Sequence, residues 1–163
     1  MSLIGELKKV LGDQNVLTGA DKERYSSDWL GQYSFEPLCV ARPASTEEVS
    51  KVVKLAITFK AKIVPVGGNT GLNGGTYSDD AISISMERMN KIHEVRLNSK
   101  IAIVEAGVIL TSLHQVANEN DLMFPLTFGA RGSATIGGVL STNAGGSNVL
   151  KYGNTRDLVL GVE

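Results

Sequence analysis

Two stretches of the 163-residue sequence are so rich in glycine that we expect their function to depend on exposed backbone. The first glycine segment, VGGNTGLNGGTYS at residues 66–78, has five glycines and no charged side chain. The second, FGARGSATIGGVLSTNAGGSNVLKYG at residues 128–153, has seven more. Glycine loses more backbone freedom on folding than any other residue. A glycine-rich loop after a strand lets N–H groups converge on a phosphate without obstruction by Cβ atoms, so the segments predict a phosphate cradle.

Three familiar glycine motifs do not fit these segments. A P-loop needs lysine and then serine or threonine after its last glycine, but Gly71 is followed by Leu72. No glycines in the chain have the Gly-x-Gly-x-x-Gly spacing of Rossmann folds. A nucleophile elbow needs Gly-x-Ser-x-Gly, but the stretch around Ser147 ends on Val149. A less common phosphate cradle remains, with a pair of tight turns as the purely structural alternative.

Composition is that of a globular protein and limits the partners of the chain. The hydrophobic fraction of 42% and the charged fraction of 20% are ordinary globular values, and the net charge is −1. The sequence has no basic stripe for a nucleic acid and no apolar run of transmembrane length. The single cysteine, Cys39, cannot form an internal disulfide and lies in the apolar run LCVA. We therefore predict a buried thiol in a cytoplasmic protein.

The residue patterns in the first half of the chain predict a βαβ unit. An amphipathic helix is expected near the N-terminus, in MSLIGELKKVLGDQN. A strand at residues 38–42 is followed by a helix whose capping box pairs Ser45 with Glu48. The apolar strand at residues 63–66 then runs directly into the first glycine segment.

The second half predicts shorter elements. The alternation in AISISM, residues 81–86, is typical of a half-buried strand. KIHEVRL and IAIVEAGV predict a hairpin, and residues 110–121 predict a helix capped by Thr111 or a neighbour. The final DLVLGVE predicts a strand that has only begun, so we expect an incomplete domain.

Titratable side chains outside the glycine segments do not suggest a further site. His93 lies in a predicted strand and His114 in a predicted helix, while Asp79 and Asp80 suit a turn. We therefore predict neither a catalytic residue nor a metal site in this chain.

Three motifs in this order resemble the FAD-binding domain of the p-cresol methylhydroxylase and vanillyl-alcohol oxidase superfamily. They are PVGGNTGLNGG after a βαβ unit, then GSATIGGVLSTNAGG, then YGNTRDLVLGVE. Within it, SSDWLGQY, ARPASTEEVSKVV and GGNTGLNGG resemble the FAD-linked D-2-hydroxyacid dehydrogenases, in particular the D-2-hydroxyglutarate and D-lactate group. The resemblance implies an α+β fold in which a small parallel βαβ subdomain precedes a mainly antiparallel one, with FAD in the cleft between them. Residues 1–37 would form an N-terminal helical segment and residues 38–163 a truncated FAD-binding domain.

The same resemblance implies which residues contact the cofactor. Residues 66–72 would form the pyrophosphate loop, with glycine amides and the side chains of Asn69 and Thr70 at the phosphates. Parts of the second glycine segment would lie along the ribityl chain and ring and close on the cofactor. The implied set is Val66, Gly67, Gly68, Asn69, Thr70, Gly71, Leu72, Ser133, Ile136, Gly137, Gly138, Thr142, Asn143, Gly145 and Gly146.

The sequence departs from the family pattern at two positions. Asn69 stands where covalently flavinylated relatives carry histidine, so non-covalent FAD is implied. Thr127 stands where many members have aspartate, so the contact of that aspartate is not implied. The family's later glycine motif, substrate-binding cap and histidine-rich metal site would lie beyond Glu163.

The implied function is that of the N-terminal FAD-binding part of a flavin-linked oxidoreductase. The full-length enzyme would oxidise a D-2-hydroxy acid to the 2-oxo acid by hydride transfer to FAD, and the 163-residue chain alone is expected to be inactive. Two alternatives stay open: a reductase of the peptidoglycan-precursor type that shares the flavin module, and a non-catalytic nucleotide-binding module. The sequence does not indicate which acid is oxidised or which electron acceptor is used. It does not indicate the oligomeric state either, so a homo-oligomer stays open as an alternative.

Overall fold

The computed structural model describes residues 2–163 and divides the chain into two compact units. The first unit ends at Met89, and the second runs from Asn90 to Glu163. The first unit contains a parallel sheet and the second an antiparallel one, so the predicted α+β fold class is confirmed.

A four-stranded sheet forms the centre of the first unit. Its strands are β1 (Val16–Leu17), β2 (Cys39–Ala41), β3 (Lys62–Val66) and β4 (Ala81–Ser85), in the order β1-β2-β4-β3. The last three are parallel to one another, and β1 pairs with β2 in the antiparallel sense. The sequence predicted β2 and β3 as the two strands of one βαβ unit, and in the sheet β4 lies between them.

Two helices cover one face of this sheet. Helix α1 (Leu3–Leu11) begins at the capping residue Ser2, and helix α2 (Thr46–Phe59) begins at Ser45, whose hydroxyl accepts the N–H of Glu48 at 3.3 Å. Their apolar sides pack on alternate residues of the strands, which point to a common face. The resulting core contains Leu7, Leu11, Val16, Cys39, Ala41, Val52, Ala56, Ile82 and Ile84.

Strand β4 differs from its prediction because all five of its residues are buried. The alternation of isoleucine and serine predicted one solvent-facing side. Helices α1 and α2 cover the isoleucine side of the strand, and the serines on the other side form hydrogen bonds with protein groups instead of facing water. The Ser83 hydroxyl donates to Ser78 at 2.9 Å, and Ser85 accepts from the hydroxyl of Tyr25 at 3.4 Å.

The second unit combines a hairpin with short helices. Strands β5 (Ile92–Arg96) and β6 (Ile101–Val104) pair in the antiparallel sense, as predicted. Helix α3 (Leu110–Glu119) follows, then α4 (Ile136–Ser141) and α5 (Val149–Tyr152). A second core is built around them from Leu110, Leu126, Ala134 and Val139, with Phe124, Phe128, Ile136, Ala144 and Leu158 at its edge.

Helix α3 begins at Leu110, as predicted, and its cap is Ile109, which makes no side-chain bond, rather than Thr111. One sequence-based expectation for this unit is wrong. The final DLVLGVE is not a strand: residues Thr155–Leu158 form a 3₁₀ turn and residues 159–163 have no regular structure. An Asn154–Asp157 capping box favours the turn over extension.

Among residues 2–163, every helix is too short or too polar to cross a lipid bilayer.

Candidate functional site

The first glycine segment begins where strand β3 ends, at the carboxyl edge of the parallel strands. Ligands of open parallel sheets bind outside this edge. Val66 is buried and pairs with Ser85, which fixes the start of the loop. Exposure then rises along the loop, and the Leu72 side chain is 62% exposed.

The backbone amides of this loop form an unpaired row. Within residues 2–163, none of the six N–H groups from Gly67 to Leu72 donates a hydrogen bond to another protein group. Buried and half-buried amides in folded proteins are normally paired. Successive N–H groups in a turn form anion-binding concavities, so these six donors without a protein partner make the loop a candidate anion site.

Asn69 shapes the middle of the loop rather than extending its side chain outward. Its φ of 50° is left-handed, a conformation that asparagine adopts more readily than most residues. The Nδ2 group donates to the Ser27 carbonyl at 2.9 Å, and Oδ1 accepts the Thr76 hydroxyl at 2.7 Å. Ser27 and Thr76 were not among the predicted site residues, because no local sequence pattern joins positions 42 residues apart.

The end of the first glycine segment is held by a carboxylate. Asp79 accepts the N–H of Glu36 at 2.6 Å and the Tyr77 hydroxyl at 2.8 Å. The backbone bond in particular lowers the pKa of the Asp79 carboxyl, while the pKa of Tyr77 is raised by the same carboxylate. Asp79 therefore stabilises the turn in its ionised form.

The predicted residues of the second glycine segment lie around helix α4. Ser133 is exposed at the end of the 3₁₀ turn Gly129–Gly132, and Ile136 packs against the second core. The helix is capped by Thr135, whose hydroxyl accepts the N–H of Gly138 at 3.3 Å. At its other end Thr142 bonds back to the Gly138 carbonyl at 3.2 Å. Asn143 adopts a φ of 48° and accepts the N–H of Arg156 at 3.0 Å.

Three predicted glycines of this segment are explained by packing within the unit. A Cβ atom on Gly137 would lie 2.8 Å from the Cβ of Ala106, and one on Gly145 would lie 2.7 Å from Oδ1 of Asn154. A Cβ atom on Gly146 would overlap the carbonyl oxygen of Thr127. At Gly137 and Gly146 the close atoms are the Cβ or backbone of a neighbour, so a larger residue would force the backbone to move. At Gly145 only the Asn154 carboxamide would have to move.

Other glycines of the two segments are not explained by close packing within the protein. Nothing lies within 4 Å of a Cβ placed on Gly129 or Gly132, and the nearest atom to one on Gly71 is 3.7 Å away. Their φ angles are not positive either. At Gly71, therefore, the first loop has open space beside amides that have no protein partner, which is what a phosphate cradle requires.

The histidines lie apart from the glycine segments in the sequence and have structural partners. Nε2 of His114, on helix α3, is 2.8 Å from the Leu126 carbonyl, and Nε2 of His93, on strand β5, is 3.4 Å from a carboxylate oxygen of Glu105.

The FAD binding domain family matches residues 37–163, and the chain belongs to this family. Two curated relatives are similar to nearly all of this chain. The D-2-hydroxyglutarate dehydrogenase of Xanthomonas citri pv. viticola is 42% identical over 88% of this chain and 31% of the relative. The mitochondrial D-2-hydroxyglutarate dehydrogenase of Arabidopsis thaliana is 37% identical over 98% of this chain and 29% of the relative. The chain therefore spans about a third of the length of the relatives it matches.

Solved structures show the same fold at lower identity. Alkyldihydroxyacetonephosphate synthase superimposes with a TM-score of 0.84 at 24% identity, over 95% of this chain and 34% of that chain. Substrate-bound p-cresol methylhydroxylase superimposes with a TM-score of 0.70 at 22% identity, over 88% of this chain and 29% of that chain. The fold implied by the sequence motifs is thereby confirmed.

Proposed function

We propose that this chain is the N-terminal FAD-binding part of a flavin-linked oxidoreductase that oxidises a D-2-hydroxy acid to the corresponding 2-oxo acid. The observation that carries the proposal is the free amide row at Gly67–Leu72 in a chain of the FAD binding domain family. The substrate class is supported by the relatives from Xanthomonas and Arabidopsis, both named D-2-hydroxyglutarate dehydrogenases.

The chain's own contribution is to bind and orient the cofactor. Residues 66–72 would receive the pyrophosphate with backbone N–H groups, and charge-assisted bonds of this kind contribute about 1.5–3 kcal/mol each. The second glycine segment would lie along the rest of the cofactor, through Ser133, Ile136, Gly137, Gly138, Thr142, Asn143, Gly145 and Gly146. When bound, FAD supplies the acceptor for the hydride that leaves C2 of the substrate.

We propose that the FAD is held without a covalent bond to the first loop. Position 69 carries a carboxamide, which is not a nucleophile, and its two polar atoms are occupied by Ser27 and Thr76. We also propose that residues 38–163 are the FAD-binding domain proper. Helix α1 nevertheless packs in one core with α2 and β2.

A cytoplasmic location is proposed on the single, buried thiol of Cys39. Because the Arabidopsis relative is named mitochondrial, cell fractionation is the measurement that checks this.

The test uses the complete gene product, purified and measured by flavin absorbance and by turnover. We expect bound FAD, and reduction of a redox dye with D-2-hydroxyglutarate or D-lactate, with the 2-oxo acid as product. The L-enantiomers serve as matched controls and should be inactive. FAD without turnover of any D-2-hydroxy acid, but with NADPH oxidation by a peptidoglycan precursor, would favour the reductase. Absence of flavin would favour the non-catalytic module.

A further inference from the structure

Segment 26–35 folds into a small hairpin-like loop of its own. The N–H of Phe35 donates to the Ser26 carbonyl at 2.9 Å, and the N–H of Asp28 donates to the Tyr33 carbonyl at 3.2 Å. The buried carboxylate of Asp28 accepts the N–H of Tyr33 at 2.8 Å and so closes the turn. These bonds close the segment on itself but do not attach it to the glycine loop.

This segment touches the first glycine segment at two points. The Ser27 carbonyl accepts a hydrogen bond from Nδ2 of Asn69 at 2.9 Å. The Tyr33 ring lies against the backbone of Gly74, since a Cβ placed there would be 3.1 Å from the ring. Segment 26–35 thus contacts the glycine segment once within the amide row, at Asn69, and once beyond its end, at Gly74.

The Asn69 side chain bridges three chain segments with one amide group. Its Nδ2 group donates to the Ser27 carbonyl, and its Oδ1 accepts from the Thr76 hydroxyl. The second bond joins the end of the glycine segment to its middle. The remaining residues of the amide row make no hydrogen bond through their N–H groups within residues 2–163. The conformation of residues 67–72 is therefore set chiefly by this side chain and by the end of strand β3.

We infer that Asn69 is a positioning residue: its side chain joins segment 26–35 to the glycine loop and presets the amide row for an anion, and does not itself bind the cofactor. This inference rests on the proposed function for the identity of the anion. A loop ordered in advance loses less conformational freedom on binding, so the same contacts give tighter binding.

The first measurement does not depend on FAD. In the flavin-free complete gene product, hydrogen exchange is followed by mass spectrometry in peptides that cover residues 26–35, whose amides at Asp28, Gly31 and Phe35 are hydrogen-bonded. Asn69→Gly removes the side chain but tolerates the left-handed φ. We expect this variant to speed exchange in segment 26–35 by about tenfold, while Asn73→Ala, which removes a bond made only to Gly75, leaves it unchanged. Unchanged exchange in Asn69→Gly would overturn the inference.

The second measurement separates positioning from direct contact. Thr76→Val removes the hydroxyl that Asn69 accepts, and Thr76→Ser keeps it. We expect FAD affinity, measured by flavin fluorescence, to fall about tenfold in Asn69→Gly and in Thr76→Val. Thr76→Ser should have the affinity of the unaltered protein. In the double variant Asn69→Gly/Thr76→Val, the loss should be smaller than the product of the two single losses. If Asn69→Gly loses FAD while Thr76→Val does not, Asn69 contacts the cofactor directly and the inference is wrong. If the unaltered protein binds no FAD, the proposed function fails, and hydrogen exchange still decides the role of Asn69.

Discussion

Gly137 donates its N–H to the carbonyl oxygen of Ala106 at 2.8 Å, and a Cβ atom on Gly137 would lie 2.8 Å from the Cβ of Ala106. The first turn of helix α4 therefore meets the loop after strand β6 backbone to backbone. Glycine at this position is required by the fold of the second unit, whether or not the residue also faces a cofactor.

We predict that Gly137→Ala destabilises the protein. The added methyl group must displace Ala106 or the start of α4, and overpacking of this kind costs about 1–3 kcal/mol. The free energy of unfolding, measured by urea titration, should fall by that amount. Gly129→Ala is the matched control, because a Cβ there meets nothing within 4 Å and the φ is not positive. It should leave stability unchanged or raise it by up to about 1 kcal/mol. Equal stability of the two variants would contradict the packing argument.

We predict the opposite behaviour at Gly71. The space around it is open within the protein, so Gly71→Val should fold normally while its side chain covers the amide row. Loss of two charge-assisted N–H bonds would weaken FAD binding by roughly two to four powers of ten. The affinity is measured by flavin fluorescence and the fold by circular dichroism.

Gly161→Val is the control for this change, since Gly161 is exposed, has open space around it and lies outside both glycine segments. It should keep the affinity of the unaltered protein. Full FAD affinity in a folded Gly71→Val protein would remove the first loop from the proposed site.

Local signals predicted most elements of this fold. The Ser45 cap and apolar spacing predicted α2, and the stretches KIHEVRL and IAIVEAGV on either side of NSK predicted the β5–β6 hairpin. The position of β4 between β2 and β3 was not predicted, because it depends on pairing between strands that are distant in the sequence. The serines of β4 were interpreted as solvent-facing because one residue that covers them, Tyr25, is 60 positions away in the sequence.

The candidate site shows the same limit. The glycines of both segments were visible in the sequence, but the contacts that require glycine at some of these positions were not. Gly137 and Gly146 are explained by Ala106 and Thr127, which precede them by about twenty to thirty residues. The hydrogen bond of Asn69 to Ser27 joins residues 42 positions apart, so no pattern in the sequence indicated that this side chain has a partner inside the protein.

We predict that the flavin is released intact when the protein unfolds. Asn69 offers a carboxamide where a covalent link would need a nucleophilic side chain, and both of its polar atoms are already bonded. After acid precipitation, all the flavin should appear in the supernatant as FAD. Fluorescence that migrates with the polypeptide in a denaturing gel would show a covalent bond and contradict this prediction.

The last prediction concerns the buried thiol of Cys39, on strand β2 in the core that the sheet forms with helices α1 and α2. Burial raises its pKa from an ordinary value of 9.0 to about 11, although the positive charge of Lys22 acts in the other direction. The folded state thus keeps the thiol proton at a pH where the unfolded chain has lost it. Because the unfolded state then binds fewer protons, the free energy of unfolding must fall as the pH rises from about 9 to 11, and below that window this contribution is constant.

A pKa difference of this size corresponds to about 2–3 kcal/mol across the window. Urea titrations at about pH 8 and about pH 10.5 measure the loss. Other groups also titrate there, so Cys39→Ala is the necessary comparison: it should be less stable at the lower pH because of the cavity it creates, but should lose less stability on going to the higher pH. The native thiol should also resist a disulfide reagent until the protein unfolds. An identical pH dependence in the two proteins, or rapid modification of the folded one, would show that Cys39 ionises as freely as an exposed cysteine.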